Sequence, residues 1–190
     1  MTLSTRCSWS KPNDPLVEAY HDHEWGKLNL NEQYLYEMLV LESFQSGLSW
    51  TTILHKRENL RTAFRQFKPA GVAQMADPDV NRLMQDASII RNRRKIVAAI
   101  QNARAILTIA AKHGSFASYL QDFIKKPIIN HPQTATEVAT TSPIAQKLAK
   151  QMKQDGFTFV GPVVIYSFLE AIGLINDHLE SCSFKYTNKE

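Results

Sequence analysis

Two cysteine–histidine pairs sit near opposite ends of this chain, and a fold that uses them together must bring both ends to one place. Cys7 is followed by His21, with His23 close behind, and His178 precedes Cys182 by four positions in a chain of 190 residues. A four-residue step puts two side chains on neighbouring turns of a helix face, within reach of one ion. Two cysteines and two histidines are a complete tetrahedral set for Zn²⁺, with no position left open for water. The same letters fit two separately buried thiols, or a disulfide. The stretch between Cys7 and His21 matches no compact zinc finger.

Between these ends the punctuation is helical and no sustained period-2 alternation occurs. Asp14-Pro15 reads as an N-cap and first helical position, opening a helix through Leu16, Ala19 and Tyr20. A second helix is expected from about residue 31 to 45, stopping at Gly47. Ser49 caps a third, with Ile53, Leu54 and Leu60 inside it. Asp77-Pro78 opens a short one. Residues 91–111 are the longest periodic stretch, with Ile96, Ile100, Ala103 and Leu107 on one face. Ser115 starts another helix, Ser142-Pro143 opens one that ends at Gly156, and a final apolar helix ends at Gly173. Residues 126–141, polar and proline-containing, read as a long loop. The expected fold class is all-α.

Composition narrows the setting. Hydrophobic residues are 44% and charged residues 21% of the chain, ordinary for a soluble globular protein. Residues 1–11 lack the apolar stretch of a signal peptide, and the apolar run 160–176 is too short to span a membrane and contains Glu170. Two cysteines make no disulfide scaffold, so a reducing cytoplasm is the expected compartment. A net charge of +4 permits nucleic-acid binding without establishing it. There is no phosphate loop, nucleophile elbow or HExxH motif.

Glu42 is the anomaly of the second helix. Leu35, Met38 and Leu39 precede it by seven, four and three residues, so all four share a face that should be buried. A buried carboxylate is costly unless something satisfies it, either a core partner or a ligand. It is followed by Gln45-Ser-Gly-Leu-Ser-Trp50, a tight polar turn with an aromatic at its exit. All three tryptophans, Trp9, Trp25 and Trp50, fall within the first 50 residues, as does Tyr20. Such rings usually pack in a core, yet around a buried carboxylate they also make a stacking pocket for a flat, cationic base. The segment Gly156-Phe-Thr-Phe-Val-Gly161 separates two helices. It reads as a plain helical hairpin or as a close approach of backbone to a phosphate. Arg91, Arg93, Arg94 and Lys95 are a solvated charge run or a phosphate contact. His55, His113 and His131 have no partner spacing.

Taken together the chain resembles the type I 3-methyladenine DNA glycosylases of bacteria. The resemblance rests on Cys7-Ser-Trp9, Asp14-Pro-Leu16, Tyr20-His-Asp-His-Glu-Trp-Gly26, Leu41-Glu42 with Gln45 to Trp50, and Lys56-Arg-Glu58. It continues through residues 86–95, Asn102-Ala-Arg104, residues 156–161, and Asn176-Asp-His178 with Cys182. It implies a helix-hairpin-helix DNA glycosylase fold with residues 156–161 as the DNA-binding hairpin. It also implies one structural zinc on Cys7, His21, His178 and Cys182, with His23 outside the set. The whole of 1–190 is expected to form one unit: a helical lobe over about 20–140, and an N-terminal segment joined to 142–190.

The resemblance makes Glu42 the residue that recognises methylated adenine, with Tyr20 and Trp50 stacking on the base and Trp9 and Trp25 beside them. The usual aspartate after the hairpin is missing; the first carboxylate there is Glu170. Ser43-Phe44 and Val17 depart from the residues common in the family. The activity implied is base flipping and hydrolytic release of 3-methyladenine from alkylated double-stranded DNA, without a lyase step, by a monomer that binds no membrane. Leu48 is the candidate wedge into the base stack. Two rivals are a non-catalytic DNA-binding or lesion-recognition module, favoured if Phe44 blocks the pocket, and a metal-dependent hydrolase, which needs an open metal position.

Overall fold

Side-chain caps set most of the helix starts in the computed structural model, which describes residues 5–10 and 12–186. Asp14 accepts from the Val17 amide and opens α1 (Pro15–His23). Asn31 accepts from the Gln33 and Tyr34 amides and opens α2 (Glu32–Gln45). Ser49 does the same for α3 (Trp50–Ala63), Asn92 for α6 (Arg93–His113), Ser115 for α7 (Phe116–Phe123) and Ser142 for α8 (Pro143–Gln154). Each cap satisfies an amide that has no partner inside its own helix. Two short helices, α4 (Pro69–Ala73) and α5 (Asp77–Gln85), begin with proline in the first turn, and α9 (Pro162–Ala171) does likewise. The expected reading of residues 1–11 falls partly outside the described residues.

Helix α2 is the axis of the fold. Every residue from Leu35 to Phe44 is buried, so the single buried face expected for it is replaced by burial all round. The reason is its neighbours, since α2 packs against α3, α6, α7 and α9. Its start also anchors α7, because the Glu32 carboxylate accepts from the Phe116 and Ala117 amides at 3.0 and 2.9 Å. An acid at a helix N-terminus is favoured by the helix dipole as well as by the hydrogen bonds.

Two expectations need correction, for the fold class and for the buried face of α6. The chain is not wholly helical: β1 (Ile128–Ile129) and β2 (Ile175–Asn176) form a two-stranded parallel pair. The pair pins the long 126–141 loop beside the C-terminal segment, and two residues per strand are too few to show alternation. On α1, Leu16 and Ala19 are exposed, and Val17 and Tyr20 are the buried residues. On α6, Leu107 is exposed, because the buried stripe runs from Ile96, Ile100 and Ala103 into Ile106 and Ile109. Among the described residues no helix is long and apolar enough to cross a membrane.

Candidate base pocket and metal centre

Helix α1 delivers two consecutive residues to two sites. His21 meets Cys7, His178 and Cys182 in a buried cluster whose ligand atoms all lie within 4.8 Å of one another. Cys7 Sγ is 3.6 Å from His178 Nδ1, which is 3.3 Å from Cys182 Sγ, and Cys182 Sγ is 3.6 Å from His21 Nε2. A tetrahedral ion with typical zinc–sulfur and zinc–nitrogen distances would separate S and N ligands by about 3.5 Å. The donor set therefore fits zinc. His21 Nδ1 lies 2.8 Å from Asp22 Oδ1, and His178 Nε2 lies 3.0 Å from the Trp25 carbonyl. Each imidazole thus directs its outer N–H to an oxygen and its other nitrogen inward, the arrangement that orients metal-bound histidines. Arg6 in turn donates to both oxygens of Asp22. The Cys182 thiol is held low by hydrogen bonds to Cys7, His178 and His21. His23 is exposed and outside the cluster.

Tyr20, the residue before His21, is fully buried and lines a pocket of about 410 Å³ together with Trp9, Trp25, Glu42 and Trp50. All five expected pocket residues are thus brought together. The pocket is large enough for a purine. Of the buried side-chain polar atoms without a hydrogen-bond partner among the described residues, three belong to this wall: Tyr20 Oη, Glu42 Oε2 and Trp50 Nε1. A buried polar atom left unpaired costs about 1–3 kcal/mol, so three around one cavity indicate groups kept for a ligand. Burial pushes the Glu42 carboxyl up to about 8 and the Tyr20 hydroxyl upward as well.

The rings make a corner. Tyr20 and Trp50 have centroids 5.0 Å apart at 54°, and Trp9 stands edge-on to Trp25 at 4.9 Å. A base sandwiched between two rings would hold their faces about 7 Å apart, twice the contact distance. A base held between Tyr20 and Trp50 therefore does not fit this arrangement; a base stacked against the corner they form does. Phe44 is fully buried against Phe64, and Val17 is buried in the core; neither lines the pocket. The blockage that would favour a non-catalytic module is thus not seen.

The rim carries the other expected contacts. Gln45–Leu48 is a tight turn with Ser46 at φ −47°, ψ 112° and Gly47 at φ 81°, a type II geometry that calls for glycine at its third position. Leu48 is exposed at its end. Lys95, read in sequence as part of a charge run facing solvent or a phosphate, is instead buried. Its Nζ donates to the carbonyls of Phe44 and Ser46 at 2.8 and 2.6 Å, closing the end of α2 where the turn begins. Arg91, Arg93 and Arg94 remain exposed.

Gly156 (φ 92°) ends α8 in a Schellman stop, with the Phe157 amide on the Met152 carbonyl at 2.9 Å. Gly161 has an ordinary φ of −68°, so the left-handed residue inside the turn is Phe159 at φ 56°, not a second glycine. The turn is clamped to α6 by the buried Asn102, which donates to the Thr158 carbonyl and accepts from its amide at 3.0 and 2.8 Å. Arg94 lies over the Phe159 ring at 5.6 Å. No side chain caps the start of α9.

Sequence reasoning missed several residues. Ser167, Glu170 and Asp177 also line the pocket, and so do Ala135, Val138, Ala139 and Thr140 of the long loop. The signal available for Glu170 was a lone carboxylate in an apolar helix. His55, His113 and His131 each pair with an acid, Asp14, Asp122 and Glu180 respectively, through contacts too distant in sequence to show as spacing.

Comparison with known proteins follows the same geometry. A family profile described as methyladenine glycosylase matches residues 9–186. DNA-3-methyladenine glycosylase 1 of Escherichia coli is 45% identical over 185 residues, covering 97% of this chain and 98% of that protein. DNA-3-methyladenine glycosylase of Haemophilus influenzae is 38% identical, covering 96% and 99%. The structure of 3-methyladenine DNA glycosylase I from Staphylococcus aureus, solved to explain 3-methyladenine recognition, superposes with a TM-score of 0.90 at 40% identity, covering 94% of this chain and 95% of that one.

Proposed function

The chain belongs to the methyladenine glycosylase family, and we propose that it excises 3-methyladenine from alkylated double-stranded DNA in base-excision repair. The observation that carries this reading is the ring-walled pocket with Glu42, Tyr20 and Trp50 all holding unpaired polar atoms. Methylation at N3 makes the base cationic and weakens its glycosidic bond, so the leaving group is already activated. The enzyme flips the nucleotide into the pocket, where the base stacks on the Tyr20–Trp50 corner, with Trp9 and Trp25 as the adjoining wall. Burial keeps a proton on Glu42 before the base binds. The cationic base favours the carboxylate, so that proton leaves as the base enters. Glu42 then accepts hydrogen bonds from the base edge and matches its charge in a cavity of low dielectric.

Water then attacks C1′ of the sugar. The C–N bond breaks, its electron pair neutralises the departing base, and the proton of the attacking water goes to solvent, leaving an abasic site. Among the described residues no lysine lines the pocket, which supports a hydrolytic glycosylase without a lyase step.

Residues 156–161 serve as the DNA-binding hairpin of a helix-hairpin-helix fold. Gly156 and Gly161 bracket the turn, and the uncapped start of α9 faces a phosphate. Leu48 is the wedge that enters the gap left by the flipped nucleotide. Cys7, His21, His178 and Cys182 hold one structural zinc. The ion supplies a cross-link between the chain's two ends, and with four protein ligands it keeps no open position, which argues against the metal-dependent hydrolase reading. The chain 1–190 acts as one glycosylase unit, a monomer at work on DNA in the cytoplasm.

Incubation with methylated duplex DNA, followed by chromatography of the released bases, tests the reading. Free 3-methyladenine with alkali-labile abasic sites is expected; DNA binding with no released base would favour the non-catalytic module.

A further inference from the structure

The Gln45–Leu48 turn and the 156–161 hairpin meet on the first turn of α6, which carries a cation that the proposed function does not use. Lys95 points inward there and holds the Phe44 and Ser46 carbonyls. Arg94 precedes it, about 100° round the helix, and is exposed. The Arg94 guanidinium lies over the ring of Phe159, 5.6 Å from the centroid. Phe159 is the left-handed residue of the hairpin, at φ 56°. Its carbonyl is 3.4 Å from the hydroxyl of Ser43, the neighbour of Glu42 on α2. Asn102 holds the preceding residue, Thr158, by its carbonyl and its amide. Arg94 therefore stands between the two elements assigned to DNA, on a frame tied to the pocket's own helix.

This turn lacks an anion. It reads Arg93-Arg94-Lys95 with no acid, although the positive end of a helix dipole favours acids. Arg93 donates to the Asn81 side-chain carbonyl at 2.8 Å. Among the described residues no acid pairs with Arg94. A guanidinium resting on a ring face spends none of its N–H donors on the ring, so its edge stays free in the fork geometry that suits a phosphate. The ring also holds the side chain in place beforehand, which reduces the entropy lost when an anion is bound.

We propose that Arg94 is a DNA-backbone contact that binds a phosphate between the Leu48 turn and the hairpin. The inference rests on the reading of residues 156–161 as the DNA-binding hairpin. Such a contact supplies affinity and register on the duplex without reading sequence. It touches neither the flipped base nor the reacting sugar.

The dissociation constant for a fluorescein-labelled, undamaged duplex, followed by anisotropy over a series of salt concentrations, tests this. Arg94→Met is expected to weaken binding about tenfold near 0.1 M salt. It should also make the slope of log Kd against log salt shallower by about 0.9, the value for one phosphate. Arg94→Lys should keep the slope and lose about threefold in affinity, because an ammonium keeps the charge and loses the fork. Lys112→Met removes an equal charge from the far end of α6, about 27 Å away, and should leave the slope as in wild type. Single-turnover release of 3-methyladenine by saturating Arg94→Met should stay within about threefold of wild type.

A wild-type slope in Arg94→Met would overturn the assignment. So would an equal change in Lys112→Met, since overall charge and not a local contact would then be at work. A loss well beyond threefold at saturation would move Arg94 from the backbone to the flipped nucleotide and overturn it too. A wild-type protein that binds the duplex but releases no 3-methyladenine would refute the glycosylase reading and leave the Arg94 result standing.

Discussion

Tyr20 and His21 are neighbours in sequence but belong to different sites: the Tyr20 ring lies 5.0 Å from Trp50 in the base pocket, and His21 Nε2 lies 3.6 Å from Cys182 Sγ in the Cys/His cluster. One turn of α1 therefore carries both the proposed stacking platform and a candidate metal ligand. The Trp25 carbonyl, 3.0 Å from His178 Nε2, gives a second link, since Trp25 also lines the pocket. Metal loss is expected to reach the pocket through these two residues.

The purified protein is expected to contain about one zinc per chain. A chelator strong enough to remove it should lower the melting temperature and base release together, because binding energy at such a site is folding energy. Asp22→Ala, which frees His21 Nδ1, should weaken zinc affinity about 10- to 100-fold in a competition titration with a zinc-binding dye. Unchanged affinity would mean that Asp22 does not orient His21.

Lys95→Met should uncouple the rim from the core. The ammonium holds the Phe44 and Ser46 carbonyls at the end of α2, and losing a charged donor to buried carbonyls costs about 1.5–3 kcal/mol. Denaturant melts should show a loss of that size. Base release from duplex DNA should fall further than stability explains, since the Gln45–Leu48 turn would no longer be fixed.

Leu48→Ala should separate flipping from folding. Leu48 is exposed, so the stability change should stay within about 0.5 kcal/mol. Excision from duplex DNA should drop several-fold, while excision from single-stranded DNA, which needs no wedge, should change little. Equal losses on both substrates would remove Leu48 from this role.

Much of this arrangement was legible in the residues, and the misses have physical causes. Caps at Asp14, Asn31, Ser49, Ser115 and Ser142 are local hydrogen bonds, so the helix starts they set could be read directly. Glu42 stood out because a carboxylate on an apolar helix face is conspicuous. The β1–β2 pair escaped because four residues far apart in sequence carry no periodic signal. Lys95 escaped because a lysine reaching two carbonyls looks, in sequence, like its solvated neighbours Arg93 and Arg94. Glu170 was noticed only as an interruption of an apolar run. Its place on the pocket wall is made by tertiary folding.

Stability should depend on pH through Glu42. Its folded-state carboxyl is pushed up to about 8 from an ordinary value of 4.5. Between those values the folded protein holds a proton that the unfolded chain has released, so this group's stabilisation is complete below about 4.5 and is lost as pH rises towards 8. Glu42→Gln has no such proton. Its stability relative to wild type should therefore rise between pH 5 and pH 8, by on the order of 3 kcal/mol. Paired denaturant melts at the two pH values check this; parallel curves would contradict it.

The central claim is that Glu42 recognises the methylated base in a pocket otherwise walled by rings. Its most direct test is single-turnover release of 3-methyladenine from methylated duplex DNA by wild type and Glu42→Gln, both folded and carrying zinc. The expected result is rapid release by wild type and a loss of about 100-fold or more in the variant, the size seen when one electrostatic stabiliser is removed from a preorganised site. Release by Glu42→Gln within a few-fold of wild type would contradict the assignment.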